Sequence, residues 1–292
     1  MNRHINILTF SLITLISFSA MGQVDGKYKS FNKAFENPIS VKELQLSSLS
    51  EKLSKNISQF ENLEVVRLIN LSKDFNLDDA FKKLSKLKSL KKLYLYGNEH
   101  SSLPKSLSKI KSLEFIELNS NLKENLSSII TLLSKIETFN ALSLRSMQLT
   151  EIPENIKLLK LKYINLDNNP NLDLENTFEL LSTLQLETIN LSSSKFTTVP
   201  KSITKLSSLK RLDLEMVKGD FNNEKSFTIL SLLPNLEELN IQGNFFGKLN
   251  PSVEKLHNLK LIEIDGNCIV KDNFEDLKKL LPNTIVQNET PC

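Results

Sequence analysis

The sequence advances in steps of two lengths. An apolar pattern, L-x-x-L-x-L with conservative replacements, begins at Val41, Leu63, Leu90, Leu113, Phe139, Leu161, Leu186, Leu209, Leu236 and Leu259. The intervals are 22, 27, 23, 26, 22, 25, 23, 27 and 23 residues, short and long in strict alternation. Fixing about 23 residues costs on the order of 1–2 kcal/mol each in backbone entropy. The roughly seven aliphatic side chains of one copy return about 1.5–3 kcal/mol apiece, and only when covered. A single copy therefore cannot stand alone. Copies stacked in phase can cover one another, and the expected object is a one-dimensional coil.

Within each copy the period-2 stretch has strand character, with one apolar face. The segment after the strand differs between the two classes. Short copies carry Leu103, Leu107, Ile110 and Leu113, or Val199, Ile203, Leu206 and Leu209, and three of them place Pro104, Pro153 or Pro200 at one position. Proline fixes φ and lacks a donor, which suits the first turn of a short, loosely helical return. Long copies read as two to three turns of amphipathic helix, as in Phe81, Leu84, Leu87 and in Phe227, Leu230, Leu233.

Leu90, Leu93, Leu95, Asn98 and then Leu236, Leu239, Ile241, Asn244, Phe246 follow L-x-x-L-x-L-x-x-N-x-L. In this the chain resembles the leucine-rich repeat proteins, the short copies being similar to the bacterial and plant LPxxLxxL subclass and the long ones to the helix-backed subclass. The resemblance implies an α/β solenoid, curved, with parallel strands on its concave face and helical segments on its convex face. It also implies a structural role for the repeat asparagines Asn98, Asn121, Asn169, Asn244 and Asn267. Leu49, Leu71, Met147, Ser194 and Val217 replace that asparagine elsewhere, so a continuous asparagine ladder is not expected.

The expected organisation has four parts. Arg3 and His4, the apolar run Ile5–Phe18 and the small residues Ala20 and Gly22 read as a signal peptide over 1–22, and so as a secreted or periplasmic protein. The apolar run is too short for a bilayer span of roughly 20 residues. Residues 23–40 read as an N-terminal capping helix, with Tyr28, Phe31 and Phe35 at helical spacing ahead of Pro38. The ten repeats occupy 41–285, and 286–292 form a C-terminal tail. Cys268 and Cys292 are the two cysteines of the chain. An exported protein permits a disulfide between them, and two free thiols are the alternative.

Alternation turns the third, fifth and seventh residue of each copy onto the concave face. Copies two to six then present Val65, Arg67, Ile69, Lys92, Tyr94, Tyr96, Phe115, Glu117, Arg145 and Tyr163. Copies eight to ten present Asp213, Glu215, Glu238, Glu263 and Asp265, with Arg211 as their base. Aromatics beside arginine have the composition of interaction hot spots. The expected function is a non-enzymatic scaffold, a monomer, binding a protein partner through this face. The alternative is a carbohydrate or envelope-polymer receptor, because aromatic platforms also stack on sugar rings.

Other chemistries find little support. A net charge of +3 argues neither for a nucleic-acid binder nor for an acidic tail, and no nucleic-acid partner is expected. His100 and His257 lie about six copies apart, on the order of 30 Å at strand spacing, so neither a histidine dyad nor a metal pair can form. No zinc-ligand spacing or glycine-rich phosphate loop is present. No cofactor is expected.

Overall fold

A computed structural model describes residues 26–47, 53–118 and 120–288. Twelve strands form one sheet in chain order, every neighbouring pair parallel. Ten of them belong to the repeats: β2 (Glu43–Ser47), β3 (Val65–Ile69), β4 (Lys92–Tyr96), β5 (Phe115–Glu117), β6 (Ala141–Ser143), β7 (Tyr163–Asn165), β8 (Thr188–Asn190), β9 (Arg211–Asp213), β10 (Glu238–Asn240) and β11 (Leu261–Glu263). The flanking strands β1 (Lys27–Tyr28) and β12 (Ile285–Gln287) extend the ladder at either end. Register is in phase throughout, with Arg67 beside Tyr94, Tyr94 beside Glu117 and Glu117 beside Ser143.

The return segments alternate as the intervals do. Long copies return through α2 (Leu77–Leu84), α3 (Leu126–Leu133), α4 (Leu174–Leu181), α5 (Glu224–Leu230) and α6 (Lys271–Leu280). Short copies return through five-residue 3₁₀ turns at Lys55–Gln59, Lys105–Lys109, Glu154–Leu158, Lys201–Lys205 and Pro251–Lys255. Each of α2 to α5 packs between two such turns. Two strands occupy about 9.6 Å of the sheet. A packed helix alone takes up about 8–10 Å, and a turn lies beside it, so each pair of returns is wider than the two strands it backs. The strands therefore lie on the inner, concave side, and a helix on every second coil curves the stack less than one on every coil would.

Local sequence sets these elements. Asn76, Asp173 and Asn223 cap α2, α4 and α5 by accepting from the amides of Asp79, Asn176 and Ser226. Pro104, Pro153 and Pro200 stand one residue ahead of their 3₁₀ turns, in extended conformation; Pro251 opens its turn. Leu44, Leu68, Leu93, Ile116, Leu142, Ile164, Ile189, Leu212, Leu239 and Ile262 are buried along the sheet, with Phe81, Phe178 and Phe227 facing them from the helices.

The repeat asparagines split into two groups. Asn98, Asn169, Asn244 and Asn267 are placed to tie each turn to the preceding coil. Asn169, for example, accepts from the Leu149 amide at 3.0 Å and donates to the carbonyls of Leu144 and Leu166, both at 2.9 Å. Asn98 accepts from Leu71, Asn244 from Val217 and Asn267 from Asn244. Asn121 does not occupy that place. It is exposed, lies in a 3₁₀ segment (Ser120–Asn125) and donates to the Asn98 carbonyl. Copy four turns straight into that segment, so its asparagine is carried out of the stack.

Both ends differ from expectation. The cap contains β1 before a six-residue helix, α1 (Phe31–Glu36), so it is strand and helix rather than helix throughout. Phe35 of α1 stacks on Phe60 at 4.8 Å. At the other end Val286 and Gln287, expected in the tail, pair with β11. The residues read as a signal peptide, 1–22, lie outside the described residues, as does Cys292. Cys268 is disulfide-bonded.

Candidate functional site

Strand register decides what the concave face displays. In order, its first column reads Glu43, Val65, Lys92, Phe115, Ala141, Tyr163, Thr188, Arg211, Glu238 and Leu261. The second runs Gln45, Arg67, Tyr94, Glu117, Ser143, Asn165, Asn190, Asp213, Asn240 and Glu263. Neighbours in a column are about 4.8 Å apart, which brings Val65, Ile69, Lys92 and the aromatic residues onto one continuous surface.

The aromatic residues hold one another. Tyr94 stacks on Tyr96 at 5.7 Å between centroids and tilts against Phe115 at 5.0 Å, and Phe115 reaches Tyr163 at 6.5 Å. Phe115 and Tyr163 sit on strands separated by β6, whose residue there is Ala141; the small side chain lets the two rings lean together. Arg67 lies over the other side of Tyr94, 3.8 Å from its centroid, and its Nε meets Glu43 at 2.7 Å. This changes one expectation. Tyr94 points to the concave side, yet only 4% of it is exposed, because its neighbours cover it. Tyr96, Phe115 and Tyr163 remain half-buried and offer ring surface.

Glu117 lies among these rings with 6% of its surface exposed. Burial pushes its carboxyl above the usual range, while the charge of Arg145 pulls the other way. Arg145 is committed elsewhere, to Asp167 at 3.3 Å. Among the described residues Glu117 has no ion pair. The Tyr96 and Tyr163 hydroxyls are raised first by burial, with the Glu117 charge adding to both.

The far half of the face is organised around Arg211. Its guanidinium reaches Asp213 at 2.8 Å, Glu238 at 2.8 Å and Glu263 at 2.7 Å. Burial opposes the charge on Arg211, but three carboxylates outweigh it and its pKa rises. Burial also lifts Asp213 and Glu263, against the pull of Arg211. Glu215 is raised by burial and then by the charges of Asp167, Asp213 and Glu263. Asp213, expected on the surface, is 2% exposed: the arginine that neutralises it also covers it.

Some features of the face were not anticipated. Asn165, Asn190 and Asn240 each accept from the backbone amide two residues on, at 2.8, 2.8 and 2.9 Å. They close the strand ends, which engages each side-chain oxygen. Their signal was the same letter at the fifth place of three copies. The partnership of Glu43 with Arg67 was legible as opposite charges side by side in adjacent columns.

Comparison with known proteins bears on the fold. No protein-family model matches the chain, and no curated protein matches it. Among solved structures, a Leptospira interrogans leucine-rich repeat protein matches over 90% of this chain and all of its own, at 21% identity and a TM-score of 0.31. TLR13 in its complex with ssRNA13 superposes over 89% of this chain and 44% of its own, with a TM-score of 0.58 at 19% identity. This chain thus spans less than half of that structure. Taken with the twelve-stranded parallel ladder and the alternating returns, the superposition on TLR13 establishes that the chain folds as an open leucine-rich repeat solenoid.

Proposed function

We propose that this protein is an exported, non-enzymatic binding scaffold that recognises a protein partner through its concave face. The observation that carries the reading is the row Tyr96, Phe115 and Tyr163, ring surface held half open on a rigid sheet and flanked by Arg67 and Arg145. Rings already braced by neighbours lose little entropy on docking, and aromatic and arginine side chains dominate interface energetics. Among the described residues no group of three or more histidine, cysteine or acidic side chains could hold a metal, and none of the helices is long and apolar enough to cross a membrane. The apolar run near the N-terminus supports export.

Site-specific photocross-linking tests this. A benzoyl-phenylalanine at Tyr96 is expected to give a discrete protein adduct under native growth conditions, and one at Leu158, exposed on a convex turn, is not. Adducts from Leu158 alone would refute the reading. A glycan array addresses the carbohydrate alternative: saturable binding to one sugar class, lost in Tyr96→Ala, would replace the protein partner by a glycan.

A further inference from the structure

Resting on that reading, we infer that the concave face contains a binding site for one primary ammonium group, a lysine side chain of the partner, held against Tyr96, Phe115 and Tyr163 with Glu117 as counter-ion. Three observations meet at this point. Glu117 is a nearly buried carboxylate without an ion pair among the described residues. Arg145, whose charge it feels most, is engaged by Asp167. An unpaired buried carboxylate is costly, and the other buried acid of this face, Asp213, has an arginine in contact.

Secondly, Ser143 on the adjoining strand is 1% exposed, and its hydroxyl has no hydrogen-bond partner. It sits beside Glu117 in the register, close enough to lower the carboxyl's pKa somewhat but outside hydrogen-bonding geometry. Other buried hydroxyls without a partner occur at Ser106, Thr177, Ser194 and Ser202; Ser143 is the one beside Glu117 in the register. Its oxygen is closed to solvent, so the donors of an ammonium go to the carboxylate.

Thirdly, half-buried rings adjoin the carboxylate. Phe115 and Tyr163 lean together across Ala141, their planes 46° apart and centroids 6.5 Å apart. A cation seated over the cleft between the tilted rings lies within about 6 Å of both, the range over which a ring face attracts it. Glu117 stands on the strand of Phe115 and beside Tyr94 in the register, and its charge is felt by the hydroxyls of Tyr94, Tyr96 and Tyr163. A carboxylate only 6% exposed is better reached by a compact ammonium on a slender chain than by a broad planar guanidinium.

The test uses n-butylammonium with the whole protein, read by NMR of carboxyl-labelled glutamate and of the tyrosine rings. Wild-type protein is expected to show a saturable shift of the Glu117 carboxyl and of the Tyr96 and Tyr163 rings, at millimolar concentration. Glu117→Gln, nearly isosteric, should weaken it at least tenfold, with amide spectra outside copies three to six unchanged. Glu263→Gln, which removes a carboxylate already paired with Arg211, should bind as wild type does. No saturable shift in wild type, an undiminished shift in Glu117→Gln, or equal loss in both variants would overturn the assignment. Because the probe is a small cation, failure here leaves the cross-linking result at Tyr96 to stand or fall separately.

Discussion

The guanidinium of Arg67 covers one side of the Tyr94 ring at 3.8 Å, so the most aromatic part of the concave face is already capped by the preceding coil. Tyr94 is accordingly a platform, and Tyr96, Phe115 and Tyr163 are what a partner would touch. Binding and stability are therefore separable at neighbouring positions.

Tyr94→Ala should cost about 2–4 kcal/mol, from lost burial and two ring contacts. Tyr96→Ala, which empties a half-exposed position, should cost about 1 kcal/mol or less. Urea unfolding midpoints of the two variants measure the difference. Equal costs would mean that Tyr94 is not the covered member of the pair.

Arg211 neutralises Asp213, Glu238 and Glu263 together. Arg211→Met should destabilise by about 2–4 kcal/mol at neutral pH, because breaking a partly buried pair strands its carboxylates. Asp213 and Glu263 already have folded pKa values raised by burial. A raised carboxyl binds its proton more tightly when folded, so the deficit is present above the folded pKa and fades as pH falls through it. The variant should recover toward wild-type stability on acidification from neutrality. A deficit independent of pH would point to lost packing alone.

Asn169 makes three buried hydrogen bonds, two to Leu149 and Leu144 of coil five and one to Leu166 of its own coil. Asn169→Ala should cost about 1–3 kcal/mol by leaving buried backbone groups unpaired. Asn121→Ala, at an exposed position, should change stability by about 0.5 kcal/mol or less. Thermal unfolding of both distinguishes them.

A charge rail runs along one rim. The second residue of successive copies reads Lys42, Glu64, Lys91, Glu114, Asn140, Lys162, Glu187, Lys210, Glu237 and Lys260. Glu187 joins Lys162 at 3.1 Å and Lys210 at 2.9 Å. Sliding the coil by one copy would set like charges side by side, so the rail opposes misregister. Glu187→Lys should cost about 0.5–1.5 kcal/mol at low salt, and the loss should shrink as ionic strength rises. A salt-independent loss would contradict a Coulombic origin.

Much of this architecture is legible in the sequence, because the period-2 strands and the two interval lengths are strong, repeated signals. The columns of the concave face come from Val65, Lys92 and Phe115 sharing a place in their copies. Contacts between coils are not legible in the same way. Nothing local in LKKLYLYGN says that Arg67 and Phe115, more than 20 residues away on either side, will bury Tyr94. Asn121 matched its motif position and still left the stack, since the 3₁₀ segment around it redirects the backbone. The rail is written plainly at the second places and becomes meaningful only once adjacent copies are known to lie side by side.

Whether the concave face is the binding surface is decided by the affinity of the cross-linked partner for three proteins: wild type, Tyr96→Ala with Phe115→Ala, and Leu158→Asp, each checked for an intact unfolding transition. The concave double variant should bind at least tenfold more weakly, and the convex variant as wild type does. Wild-type affinity in the double variant, with binding lost in Leu158→Asp, would contradict the assignment.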